Sequence, residues 1–141
     1  MDGPILVGTD GTETSMKAVA AAARIALAFD QPLHIASAYK PIAAQSGLPL
    51  EFQGSVSPTS RVEAILEDAA ARARVGGVKA ECHMRRGDPA EVLLDLAQEL
   101  EVSVLVVGNK GIGSAKRFLL GNVPSKVVHH SPCSTLVVHT T

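Results

Sequence analysis

Two hydrophobic periods alternate along the chain. Short runs dense in Val, Leu and Ile give way to longer stretches whose apolar residues fall three and four apart. PILVGT, Pro4 to Thr9, is too short and too β-branched for a helix and reads as a first strand. Thr12–Ser15 (TETS) supplies N-cap candidates ahead of MKAVAAAARIALAFD, where Met16, Val19, Ala23 and Ala26, with Ala20 and Leu27, lie at helical spacing. Asp30, Gln31 and Pro32 end that helix. LHIASAY, Leu33 to Tyr39, is a second strand. RVEAILEDAAARARV, Arg61 to Val75, is helical again, with Val62, Ile65, Leu66, Ala69 and Ala73 on one side and Gly76-Gly77 as its stop. KAECHMRR, Lys79 to Arg86, reads as a third strand, and its polar content suits a sheet edge with one wet face. Asp88 as N-cap and Pro89 at the first helical position open a third helix through Leu100. VSVLVVG, Val102 to Gly108, is apolar on both parities, as in a strand covered on both faces. A last helix starts at Gly121 or Asn122, runs to about His130 and stops before Pro132, and STLVVH, Ser134 to His139, is a fifth strand.

The order βαβαβαβαβ predicts one α/β domain over residues 1–141. Its sheet would be doubly wound, parallel and five-stranded, in the order 3-2-1-4-5, with helices on both faces. Ligands of such sheets bind beyond the carboxyl ends of strands, where the winding reverses. Here the reversal falls between strands one and four, which end in GTDGTE and GNKGIGS. Lys40–Ser60 interrupts the pattern with three prolines, two glycines and no sustained period. A flexible insertion is expected at about 40–60, as a lid, an interaction loop or a disordered segment.

Composition narrows the picture. The chain has 141 residues, 46% apolar but only 3% aromatic, without Trp, so the core is built from Val, Leu, Ile and Ala. A net charge of −1 gives no general attraction to nucleic acid or to an anionic membrane. The start, MDGPILVGTD, has neither a basic region nor a long apolar core, so no signal peptide is expected, and no apolar stretch approaches a membrane span. Cys82 and Cys133 form no CxxC, which fits a reduced, cytoplasmic setting.

The glycine-rich stretch after the fourth strand is not a P-loop, because Ser114 follows Gly113 and Arg117 follows Lys116. A G-x-G-x-x-G match fails at Lys116 and lies on the wrong strand. The spacing present is Gly108-x2-Gly111-x9-Gly121, followed by Asn122. Gly108 permits a turn, Gly111 a close backbone approach, and Gly121-Asn122 places N–H groups at a helix start, where an anion is favoured. Ser114, Lys116 and Arg117 could donate to phosphate oxygens. A surface loop whose glycines make turns and whose cations are solvated fits the same residues, and physics alone leaves both readings open.

The pattern G-x2-G-x9-G, set between an apolar strand and VVHHSPCSTLVV, resembles the universal stress protein family. ILVGTDGTETSMKAV is similar to that family's opening, and RGDPAEVLLDLAQELEVSVLVVG to its third helix and fourth strand; only Lys40–Ser60 stands apart. The resemblance implies a five-stranded parallel sheet, a homodimer through the last strand, and adenine nucleotide binding. The ligand would be ATP or another adenine nucleotide (cyclic AMP, AMP), with or without magnesium. Carried over by residue, Thr9 and Asp10 would lie near the nucleotide, Asp10 between adenine and ribose. Ala38 and Tyr39 would edge the adenine through backbone contacts. Gly108, Asn109, Gly111, Gly121, Asn122 and Val123 would hold ribose and phosphates, with Ser114 beside them. Relatives commonly carry Ser or Thr where this chain has Asn122, which makes a ligand with fewer phosphates, including cyclic AMP, a candidate.

Asp10 also fits an Asx-turn or a helix cap. A single carboxylate without a partnered His or second acid nearby in sequence is a poor start for a hydrolase, so a binder rather than an enzyme is expected, with at most weak ATP hydrolysis. His129, His130 and Cys133 fit a helix end better than a metal, and Cys82 and His83 would point to opposite strand faces, so no metal is expected there. Lys116, Arg117 and Lys126 make a small basic patch with no aromatic neighbour apart from Phe118, fewer than nucleic acid would call for. The function expected is a nucleotide sensor or sink. Its rivals are a weak ATPase or self-phosphorylating protein using Ser114, and an interaction module contacting partners through Lys40–Ser60.

Overall fold

The structure is a computed structural model, and it describes residues 2–40, 58–109 and 120–140. Five strands form one parallel sheet: β1 (Ile5–Gly8), β2 (Leu33–Tyr39), β3 (Ala80–Arg86), β4 (Val104–Gly108) and β5 (Ser134–Val138). Their order is β3-β2-β1-β4-β5, as the alternation of elements predicts. Four helices connect them: α1 (Glu13–Ala28), α2 (Pro58–Val75), α3 (Pro89–Glu99) and α4 (Asn122–His130).

Strand parity divides the interior into two layers. Ile5, Val7, Leu33, Ile35, Val104 and Val106 pack with α1 and α2. Leu6, Ala36, Leu105 and Val107 pack with α3 and α4. β1 and β4 are buried on both faces because helices cover both, and the apolar run of β4 records that. β3 occupies an edge with its residues exposed or half-buried, which is where its polar residues belong.

Helix ends follow local chemistry. The Thr12 hydroxyl caps α1 by accepting from the Ser15 N–H, and the Asp88 carboxylate caps α3 by accepting from the Glu91 N–H, with Pro89 in the first turn. Asp30 and Glu101, just past α1 and α3, take φ of 52° and 51°, the left-handed exit that closes many helices. One boundary departs from expectation: α2 begins at Pro58 rather than Arg61. Proline is a breaker only inside a helix; at the first turn its missing N–H costs nothing. The rest of the expected insertion, residues 41–57, lies outside the described residues.

Candidate functional site

β1 leads into α1 on one face of the sheet, and β4 leads towards α4 on the other. The two strands are neighbours, so their carboxyl ends flank the crevice of a winding reversal. Thr9, Asp10, Gly108 and Asn109 stand at its mouth.

The β1 end is a closed polar loop. Thr9 is 8% exposed, and its N–H donates to the Ala36 carbonyl at 3.0 Å. Its hydroxyl oxygen accepts from the Gly11 N–H at 3.2 Å and lies 2.8 Å from the Ser15 hydroxyl. Thr9 therefore shapes the turn with its side chain. Asp10 is exposed, and one carboxylate oxygen accepts from both the N–H and the hydroxyl of Thr12, at 3.0 and 2.6 Å. That is an Asx-turn, so the local reading of Asp10 holds, with the carboxylate at the crevice edge. Gly11 makes the turn possible: its φ is +87°, and a Cβ there would sit 2.7 Å from Ile65 Cδ1.

At the β4 end, Asn109 is bonded on several sides. Its N–H donates to the Val138 carbonyl at 2.9 Å, continuing the pairing with β5. Its carbonyl accepts from the Gly121 N–H at 2.9 Å, so the two ends of the glycine-rich segment meet. Its side-chain oxygen accepts from the N–H and the hydroxyl of Thr140, at 2.8 and 2.9 Å. The assigned ribose or phosphate ligand is thus also a brace for the chain beyond β5.

The Gly121–Asn109 bond sets the start of α4 beside the end of β4. Gly121 is buried and is the N-cap of α4, with φ −63° and ψ 168°, so its need for glycine is not a left-handed backbone. As a glycine it offers no side-chain acceptor to the first-turn N–H groups, whereas Thr12 and Asp88 do so for α1 and α3. Uncapped N–H groups and the positive end of the helix dipole make an anion-binding surface. Asn122 is exposed on that first turn, and Val123 is half-buried against the second core layer. Amide donors at this helix start and the Asp10 carboxylate at the end of the neighbouring strand are groups that phosphate and hydroxyl oxygens can bond.

Ala38 and Tyr39 end β2, the next strand outwards. The Tyr39 carbonyl accepts from the Gly87 N–H at 2.9 Å, and its ring packs against the first core layer. Gly111 and Ser114, also assigned to the site, lie outside the described residues, as do Lys116 and Arg117 of the basic patch. Lys126 turns to α3 instead: its ammonium lies 3.2 Å from Glu91 and 3.5 Å from Asp88, and these carboxylates hold its pKa above the ordinary lysine value. An apolar groove of about 270 Å³ lies between α1 and α2, lined by Met16, Val19, Ala23 and Leu27 among others, away from this crevice.

His129 Nδ1 lies 2.8 Å from the Ser125 carbonyl one turn earlier, the helix-end role expected of it, and Cys133 Sγ pairs with the Ser131 hydroxyl at 3.6 Å. Cys82 and His83 do face opposite ways: the Cys82 thiol donates to the Leu66 carbonyl of α2, and His83 meets His34 on the other face. That histidine pair has no signature along the sequence, because its members are 49 residues apart.

Comparison with known proteins agrees with this architecture. The model of the Universal stress protein family matches residues 1–139. Universal stress protein Rv1636 of Mycobacterium tuberculosis is 40% identical over 141 residues, spanning 97% of this chain and 96% of that protein. Universal stress protein YxiE of Bacillus subtilis is 34% identical over 143 residues, with 95% and 97% coverage. Among solved structures, a universal stress protein in complex with cAMP superposes with a TM-score of 0.77 at 36% identity, covering 99% of this chain and 98% of its own.

Proposed function

The chain belongs to the universal stress protein family, and on that premise we propose that it binds an adenine nucleotide between the carboxyl ends of β1 and β4. The observation that carries this reading is the Gly121–Asn109 bond, which sets an uncapped helix start beside the end of β4. A phosphate there would accept from first-turn N–H groups of α4, while Asp10 would meet the nucleoside hydroxyls across the crevice. Backbone at Ala38 and Tyr39 would edge the base, and Gly111 and Ser114 would complete the phosphate contacts. The 36% identical relative solved with cAMP supports the adenine nucleotide class and makes cyclic AMP the first ligand to try beside ATP.

The role proposed is a sensor or nucleotide sink in the cytoplasm, acting as a homodimer through β5. Asp10 is engaged in an Asx-turn, where one carboxylate oxygen already accepts two hydrogen bonds from Thr12 and shapes the loop. That favours binding over hydrolysis.

Mass spectrometry of small molecules released from freshly purified protein, followed by calorimetry with ATP, AMP and cyclic AMP, tests the proposal. An adenine nucleotide should co-purify or bind with one site per chain. No release and no heat with any of the three would overturn it and favour an interaction module.

A further inference from the structure

His34 of β2 stands in register with Glu81 of β3, and His83 follows two residues later on the same strand face. The three side chains therefore gather on the α3 side of the sheet, near the start of β2. Tyr39 lies about 16 Å further along the strand, at the carboxyl end. This cluster is distinct from the nucleotide crevice.

Its donor atoms converge. One ligand atom from each of His34, Glu81 and His83 lies within 4.8 Å of the others. His34 Nδ1 is 2.8 Å from His83 Nε2 and 3.7 Å from a Glu81 oxygen. Ligands of a tetrahedral ion at bond lengths near 2.1 Å stand about 3.4 Å apart, a spacing these two distances bracket. We propose that His34, His83 and Glu81 form a binding site for one borderline divalent cation, Zn²⁺ first among them, with water completing the coordination.

Four features support this assignment. Two imidazoles with one carboxylate is a donor set that zinc accepts, leaving one position for water. The histidines sit on adjacent hydrogen-bonded strands, so the spacing of their backbones is fixed before any ion arrives. The carboxylate is open to solvent where His34 is not: the His34 side chain is 11% exposed, whereas that of Glu81 is 69% exposed and offers an entry path from the sheet edge. Burial lowers the pKa of both histidines against the opposing pull of Glu81, and for His83 the neighbouring His34 lowers it further, the direction that favours the uncharged form metals bind.

In the neutral pair, one of the two facing nitrogens carries a proton and the other accepts it. Coordination requires both lone pairs. The donor ring shifts its proton to its other nitrogen, and the site, two neutral imidazoles and one carboxylate, keeps a net charge of −1. Arg85 adds no unpaired positive charge nearby, because its guanidinium pairs with both oxygens of Glu99 at 2.8 and 2.6 Å.

The test uses the full chain after chelator treatment and buffer exchange, without nucleotide. Calorimetric titration with Zn²⁺ is paired with visible absorption of the Co²⁺-loaded protein, and both are repeated on His83→Gln and Glu81→Gln. One ion per chain is expected. Loss of an outer partner of a ligand weakens metal binding by about 10–100-fold, so loss of the ligand His83 should weaken it by at least about a hundredfold. Glu81→Gln should weaken it by about tenfold and alter the cobalt spectrum. Circular dichroism checks both folds; Glu81 is too exposed to carry the core, so that variant decides alone if His83→Gln unfolds. Absence of zinc binding to the parent chain would overturn the proposal and leave a hydrogen-bonded histidine pair. Zinc binding that both folded variants retain at parent strength would also overturn it, placing the ion elsewhere, for instance at His129 and His130.

Discussion

The side-chain oxygen of Asn109 accepts two hydrogen bonds from Thr140, one from its N–H and one from its hydroxyl. Thr140 is 1% exposed, and its carbonyl accepts from the Lys17 ammonium at 3.2 Å. The end of β4, the chain beyond β5 and helix α1 are thereby joined at the rim of the crevice between β1 and β4. Asn109→Ala would leave two buried donors of Thr140 without this acceptor, and an unsatisfied buried polar group costs about 1–3 kcal/mol. We expect Asn109→Ala to lose about 2 kcal/mol or more in urea denaturation and Asn109→Asp, which keeps the acceptor, to lose less. Equal midpoints for Asn109→Ala and the parent would show that the brace is dispensable.

Gly11→Ala should destabilise by about 1–3 kcal/mol, the cost of holding a residue other than glycine in a sparsely populated backbone region. The φ of +87° is one cause, and contact with the tip of Ile65 is the other. Only the second is relieved by trimming Ile65. The pair Gly11→Ala with Ile65→Ala should therefore recover part of the clash but none of the backbone strain, which a double-mutant cycle in thermal unfolding would resolve. Full recovery would locate the whole effect in packing.

Phosphate preference should follow residue 122. Asn122 is exposed on the first turn of α4, where a compact hydroxyl would stand closer to an anion than a carboxamide. A hydrogen bond to a charged group contributes about 1.5–3 kcal/mol, enough for roughly tenfold in preference. Asn122→Ser should improve ATP relative to cyclic AMP, and Asp10→Ala should weaken both, acting at the shared nucleoside end. Competition titrations of the three proteins provide the comparison; an unchanged ATP-to-cyclic-AMP ratio for Asn122→Ser would remove this residue from the choice.

Gly121→Val should lower nucleotide affinity by steric obstruction alone. Gly121 has an ordinary extended backbone, so valine meets no backbone strain there, and because the position is buried, circular dichroism must show the fold intact. Gly111→Val is expected to act in the same direction. Undiminished calorimetric affinity in both variants would remove the glycine pattern from the binding site.

The β5 edge should be where two copies meet. β5 pairs with β4 on one side and is an end strand of the sheet, with Leu136 39% exposed. An apolar edge of this kind calls for a cover. Leu136→Lys should shift light-scattering mass from dimer to monomer without disturbing the core. Val137→Lys should do the same at greater cost to stability, because Val137 also packs against the second core layer. A parent chain that is monomeric at micromolar concentration would rule the interface out.

The elements and their order are legible along the chain, because periods, caps and turns are set by residues within a few positions of each other. LHIASAY became β2 with the predicted bounds, Asp88 and Pro89 opened α3, and the doubly apolar VLVVG lay between two helical layers. The same locality hides the start of α2: Pro58 lies in the proline-rich stretch without a period, yet it serves as a first-turn residue. Tertiary structure alone decided which distant side chains meet. The family resemblance implies Asn109 at the crevice, but its bonds to Thr140 and Gly121 required β4, β5 and α4 to be in place. His34 and His83 are unremarkable in their own strands; parallel pairing of β2 with β3 brings them to 2.8 Å. Register is the physical reason: a one-residue slip would turn the side chains of β3 to the opposite face, and the packing of Ala80 and Met84 against the first core layer forbids that slip.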